Sequence, residues 1–175
     1  MKRIVIWVLC LGFCLGMWGC GSQESVVWET VSDNLESPAA SVAPPYSMTF
    51  GVPEDAELVE AFSSEGQQVY QQKKGEYEIV AQTMTAEGLD SLVRELTGFS
   101  KDELDIVETT AFSMPRYDLV WCAADDEGQQ VSRATILDDG IYYYVLCATA
   151  KEDAVCRTEL EKVFQSLGLY HDEGF

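Results

Sequence analysis

Histidine is almost missing from this 175-residue chain: the only one is His171, close to the C-terminus. Nucleophilic devices of the Ser/His/Asp or Cys/His kind need an imidazole held against the nucleophile by packed structure. A residue beyond the last expected helix is a poor mount for one. Basic residues are scarce as well, 11 Lys and Arg against 30 Asp and Glu, for a formal net charge of −19. Nucleic-acid binding draws on lysine and arginine contacts to phosphate, and an anionic bilayer repels an acidic surface, so no nucleic-acid partner is expected. No C-x-x-C or H-x-x-x-H spacing occurs, which argues against zinc. Gly66, Gly75 and Gly88 are separated singles rather than a phosphate-cradling loop. The expectation is therefore no catalytic set, no metal and no cofactor.

Carboxylates are what the chain has in plenty. Thirty acids make some glycosidase-like pair inevitable by count alone, so abundance by itself carries little. The runs "DDEG" (Asp125 to Gly128) and "DDG" (Asp138 to Gly140) lack the alternating ligand spacing of an EF-hand loop. Acidic residues ahead of glycine are what tight turns use.

Long apolar runs are also rare, and the one present lies at the start. Lys2 and Arg3 precede the uncharged stretch Ile4 to Gly19, and glycines crowd its far end. A membrane-spanning helix needs about 20 apolar residues, and Gly12, Gly16 and Gly19 weaken a helix, so residues 1–19 read as a cleaved signal peptide. The stretch "MWGC" resembles the lipobox of bacterial lipoproteins, with Gly19 before Cys20. Met17 stands where that family usually has leucine, and Trp18 where it usually has a small residue. The resemblance implies that the Cys20 sulfur takes a diacylglycerol and that the chain is cut ahead of it. Two acyl chains hold firmly where one is marginal. The expected location is the cell membrane, lipid-anchored and outward-facing, with the membrane a partner through the N-terminal lipid.

Residues 20–45 hold Pro38, Pro44 and Pro45 among Ser and Ala, the composition of an extended tether. Within it "VVWETV" (Val26 to Val31) is β-branched and apolar, suited to docking as an edge strand, to binding a partner, or to loose contact with its own domain.

One domain is expected over 46–169. "YSMTFGVP", "AELVEAF" and "QQVYQQKKGEYEIVAQTM" read as three or four strands, the last broken by a Lys-Lys-Gly turn. Leu89, Leu92, Val93 and Leu96 have helical spacing, with Thr85 as a cap and Gly98 as a stop. "ELDIVETTAF", "RYDLVWCA", "QQVSRATIL" and "GIYYYVLCATA" are four further strands, three of them joined tightly enough for an antiparallel meander. Thr149 and Glu152 have capping-box spacing before a helix striped by Cys156, Leu160, Val163, Phe164 and Leu167, which Gly168 closes. In Tyr142-Tyr143-Tyr144 the rings should alternate between the sheet faces. Residues 170–175 read as a disordered tail. The fold class is α+β: an antiparallel sheet of about six to eight strands packed by two α-helices.

The segment Tyr117 to Leu169, with "YYYVLCATA" running into "ELEKVFQSLGL", resembles the end of PsbP-like and DcrB-like domains. It is also similar to small lipoproteins of anaerobic gut bacteria. The resemblance implies an antiparallel sheet covered by helices and a role as an assembly or accessory module, with no catalytic residues to carry over.

Cys122, Cys147 and Cys156 remain in the domain, an odd number. Cys147 and Cys156 could approach across the strand–helix junction as a disulfide, or all three could be small buried thiols. Cys122 lies two strands from Cys147, and at about 4.8 Å per strand that is beyond disulfide reach. The function expected is a membrane-anchored, non-catalytic binding or accessory module with an envelope protein or glycan as partner. The alternative is a carboxylate-based hydrolase acting on wall or glycan material.

Overall fold

The computed structural model of the chain describes residues 43–125, 128–151 and 157–171. Residues 1–19, Cys20, the stretch from Val26 to Val31, and Cys156 lie outside them. Nine strands and two α-helices make up the described part: β1 (Tyr46–Thr49), β2 (Ala56–Leu58), β3 (Gln67–Gln72), β4 (Tyr77–Met84), α1 (Leu89–Thr97), β5 (Ile106–Ala111), β6 (Met114–Asp125), β7 (Gly128–Asp138), β8 (Tyr143–Lys151), α2 (Arg157–Gln165) and β9 (Gly168–His171). Seven strands form one antiparallel sheet in the order β2-β3-β4-β8-β7-β6-β5. The α+β class holds.

Alternation in β8 shows how the sheet divides its side chains. Tyr144, Leu146, Ala148 and Ala150 point to one face, where they meet Tyr77, Ile79 and Ala81 of β4 and the stripe Leu160, Val163, Phe164 and Leu167 of α2. Tyr143 and Val145 point to the other face, where Leu92 and Val93 of α1 cover them with Leu119, Trp121, Ala134 and Ile136. The successive tyrosines thus do fill opposite faces. Each face has its own helix because a sheet with two apolar faces must bury both. Arg133 fastens α2 further: its guanidinium stands 4.4 Å from the Phe164 ring centroid and bonds Glu161 at 2.8 Å.

The termini of the elements depart from expectation at several points. The N-cap of α1 is Gly88, not Thr85, and no side chain caps it. Gly98 does end the helix, with the left-handed φ of 78° that lets its N–H reach the Arg94 carbonyl. Thr149 sits inside β8, where its hydroxyl shares a 2.9 Å bond with Ser132, and Glu152 lies outside the described residues. Gly168 opens β9 rather than closing α2. Tyr170 and His171, expected in the tail, complete that strand. β9 pairs with β1 as a separate ribbon whose Tyr46, Met48 and Leu169 pack on the α2-side core. His171 lies edge-on to Tyr46, with ring centroids 5.2 Å apart.

Candidate functional site

An open cleft of about 680 Å³ lies between residues 51–55, the β3–β4 turn and α2. Helical spacing places Glu159 and Lys162 on the flank of α2 next to Val163 of its core stripe, and Ser166 follows in the turn after the helix. Across from them stand Glu54 and Asp55, and Glu76 closes the end at the β3–β4 turn. The lining therefore holds four acidic residues and one lysine.

The walls are pinned by hydrogen bonds. The Tyr77 hydroxyl donates to Asp55 Oδ1 at 2.6 Å, and Gln72 Nε2 donates to Oδ2 at 2.8 Å. The buried Gln72 amide in turn accepts from the Glu76 backbone N–H at 3.1 Å, so one side chain spans loop and turn. The Lys73 N–H also donates to the Asp55 carbonyl. On the other wall the Gly51 N–H donates to Ser166 Oγ at 2.8 Å, and that hydroxyl donates onward to the Val163 carbonyl. A Cβ at residue 51 would stand 3.2 Å from Ser166 Oγ, a contact close enough to disturb this bond.

Electrostatics follow from these bonds. Tyr77 first, then Gln72, hold the Asp55 carboxyl below its ordinary range. A general acid needs the opposite displacement, and both oxygens of Asp55 are already committed. Glu78 is displaced upward, because burial disfavours its charge. It lies opposite Thr149 in the β4–β8 register, on the α1 face of the sheet and away from the cleft. The structure therefore does not bring the raised carboxyl and the cleft carboxyls together. Among the described residues no three His, Cys, Asp or Glu side chains converge as a metal site, and no helix is long and apolar enough to cross a membrane.

Cys122 and Cys147 are free thiols on β6 and β8, with β7 between them. Cys147 packs with the cluster under α1, the face turned away from α2. Burial, and then the Glu78 carboxylate, push its thiol up to about 12, so it carries no reactive thiolate. Its expected partner Cys156 lies outside the described residues.

The clamp of Gln72, Asp55 and Tyr77 is invisible in the sequence, where Asp55 reads as one more turn acid. The available signal was Gln72 at an inward position of an alternating strand, since a buried amide must find partners.

No family model matches the chain, and no curated protein matches it. Solved structures do. A crystal structure from Bacteroides thetaiotaomicron is similar, with a TM-score of 0.50 and 16% identity over 74% of this chain and 47% of that one, so this chain spans about half of that protein's length. The solution structure of cyanobacterial PsbP (CyanoP) from Synechocystis has a TM-score of 0.51 and 10% identity, covering 78% of this chain and 99% of that one. LpqN of Mycobacterium tuberculosis, described as involved in cell envelope biogenesis, has a TM-score of 0.49 and 14% identity over 74% and 86% of the two chains. At such identities the likeness is one of fold. The fold is PsbP-like, and the likeness reaches well beyond Tyr117 to Leu169.

Proposed function

We propose that this chain is a lipid-anchored, outward-facing binding or accessory module, and that its acidic cleft receives a cationic group of the ligand or partner. The observation that carries the reading is the cleft itself: 680 Å³, four carboxylates against Lys162, and walls fixed in advance by the Asp55 clamp and the Ser166 bridge. That volume falls within the range of ordinary ligand sites, and walls already ordered reduce the entropy lost on binding. The lipobox-like Cys20 and the proline-bearing tether support the anchored location. The commitment of both Asp55 oxygens to its neighbours weighs against the hydrolase reading.

Two measurements test the two halves. Mature protein from cells should begin at Cys20 and carry a diacylglycerol there by mass spectrometry. Mature protein that begins elsewhere, or carries no diacylglycerol on Cys20, would overturn the anchor. For the cleft, spermidine is the probe. Binding measured calorimetrically at low salt should weaken at least about tenfold when Glu76→Lys and Glu159→Lys are combined, the scale expected when a close charge contact becomes a repulsion. Equal affinity in both proteins would remove the cleft as the site.

A further inference from the structure

From the edge of the sheet we infer that β5 is a docking strand, to which an extended, basic segment of a partner protein adds as a further strand. The inference goes beyond the cleft reading and does not depend on it.

β5 ends the seven-stranded sheet, and among the described residues only β6 pairs with it. Its hairpin with β6 has the two-residue turn Phe112–Ser113, both at positive φ. In such a hairpin the residues flanking the turn exchange both main-chain bonds, and alternate pairs do the same further along. Ala111, Thr109 and Val107 are thereby bonded inward to Met114, Arg116 and Asp118. Ile106, Glu108 and Thr110 are left with N–H and C=O groups directed outward. Pro115 agrees with this parity, for it stands opposite Thr110, where no inward donor is needed.

Sheets usually protect such an edge with lysine, proline, a bulge or shortness. β2, at the opposite edge, is three residues long. β5 has six residues, no lysine or proline, and an unbroken register with β6. Val107 is 60% exposed, and Val120 on the same face of β6 is 54% exposed, so an apolar strip lies ready beside the open main chain.

Charge selects the occupant. Asp102, Glu103, Asp105 and Glu108 stand exposed in and just before β5, against Lys101. A second copy would bring the same carboxylates and a net charge of −19 to the seam, whereas a basic strand would be attracted. Alternation then specifies its pattern: an apolar residue beside Val107 and a lysine or arginine beside Glu108.

Amide hydrogen exchange of the full chain, read on the outward amides of Ile106, Glu108 and Thr110, tests this with a capped hexapeptide alternating lysine and valine. The peptide should protect the segment, and less so as salt rises. Thr110→Pro removes one outward N–H while leaving the inward bonds, and should weaken binding about tenfold. Should that variant lose stability, Glu108→Lys serves instead: it should reject the lysine peptide and accept one alternating glutamate and valine. Absence of protection, or indifference to both substitutions, overturns the inference. So does protection of those three outward amides already present without peptide, whether it grows with protein concentration, marking a second copy, or does not, marking the chain's own segment. Spermidine binding at the cleft should be unchanged by Thr110→Pro, so the two sites fail separately.

Discussion

Asp118 is the most constrained charge in the sheet. Burial opposes its ionisation, but Arg116, bonded at 2.7 and 2.9 Å, and the Thr135 hydroxyl at 2.6 Å outweigh that and hold its carboxyl below the ordinary range. Thr135 is fully buried, so its hydroxyl has little access to water if the bond is lost. Thr135→Val keeps the shape and removes the donor, which should cost about 1.5–3 kcal/mol at neutral pH, the usual worth of a bond to a charged group. The sign with pH is fixed by the lowered folded-state pKa. The stabilisation is complete above the unfolded carboxyl range and is lost as pH falls through the folded value. Denaturant titrations should therefore show the gap between Thr135→Val and the parent narrowing in acid. A gap constant with pH would mean that the hydroxyl acts through packing alone.

Among the elements, the β5–β6 turn is the one built against local preference. Phe112 (φ 53°) and Ser113 (φ 65°) hold left-handed conformations that glycine and asparagine adopt with far less strain. Replacing them together, Phe112→Asn with Ser113→Gly, should raise unfolding free energy by about 2–4 kcal/mol, since each of the two left-handed residues costs about 1–2 kcal/mol. Phe112 is half exposed, so little buried contact is lost. An unchanged midpoint in urea would show that the ring makes up for the strain. The longer elements were legible in the sequence because their periodicity is local: the β3–β4 hairpin, the stripes of α1 and α2, and the meander from β6 to β8. What escaped depends on distant chain. β9 is four residues long, too short for alternation to register, and it becomes a strand only by pairing with β1, which the sequence did show. Cys147 lies near α2 along the chain, but strand alternation turns it to the other face. The cleft eluded the sequence for the same reason, because Asp55, Gln72 and Ser166 meet only in three dimensions.

For the molecule as a whole, charge is the dominant fact. The whole chain carries a net charge of −19 and so repels itself; among the described residues Arg116–Asp118 and Arg133–Glu161 are the closest ion pairs that offset this. Raising ionic strength from about 0.01 to 0.15 M shortens the Debye length from about 30 to 8 Å. The thermal midpoint should rise over that interval. A fall would mean that attraction within these pairs outweighs the general repulsion.

In the ribbon of β1 and β9, Tyr46 lies opposite His171. The incoming and outgoing backbones therefore cross the domain surface at one spot. Tension arriving from upstream of Tyr46 is met first by the four residue pairs that hold β1 to β9, ahead of anything in the large sheet. Clipping off the final strand would thus loosen the opposite terminus of the domain at a stroke.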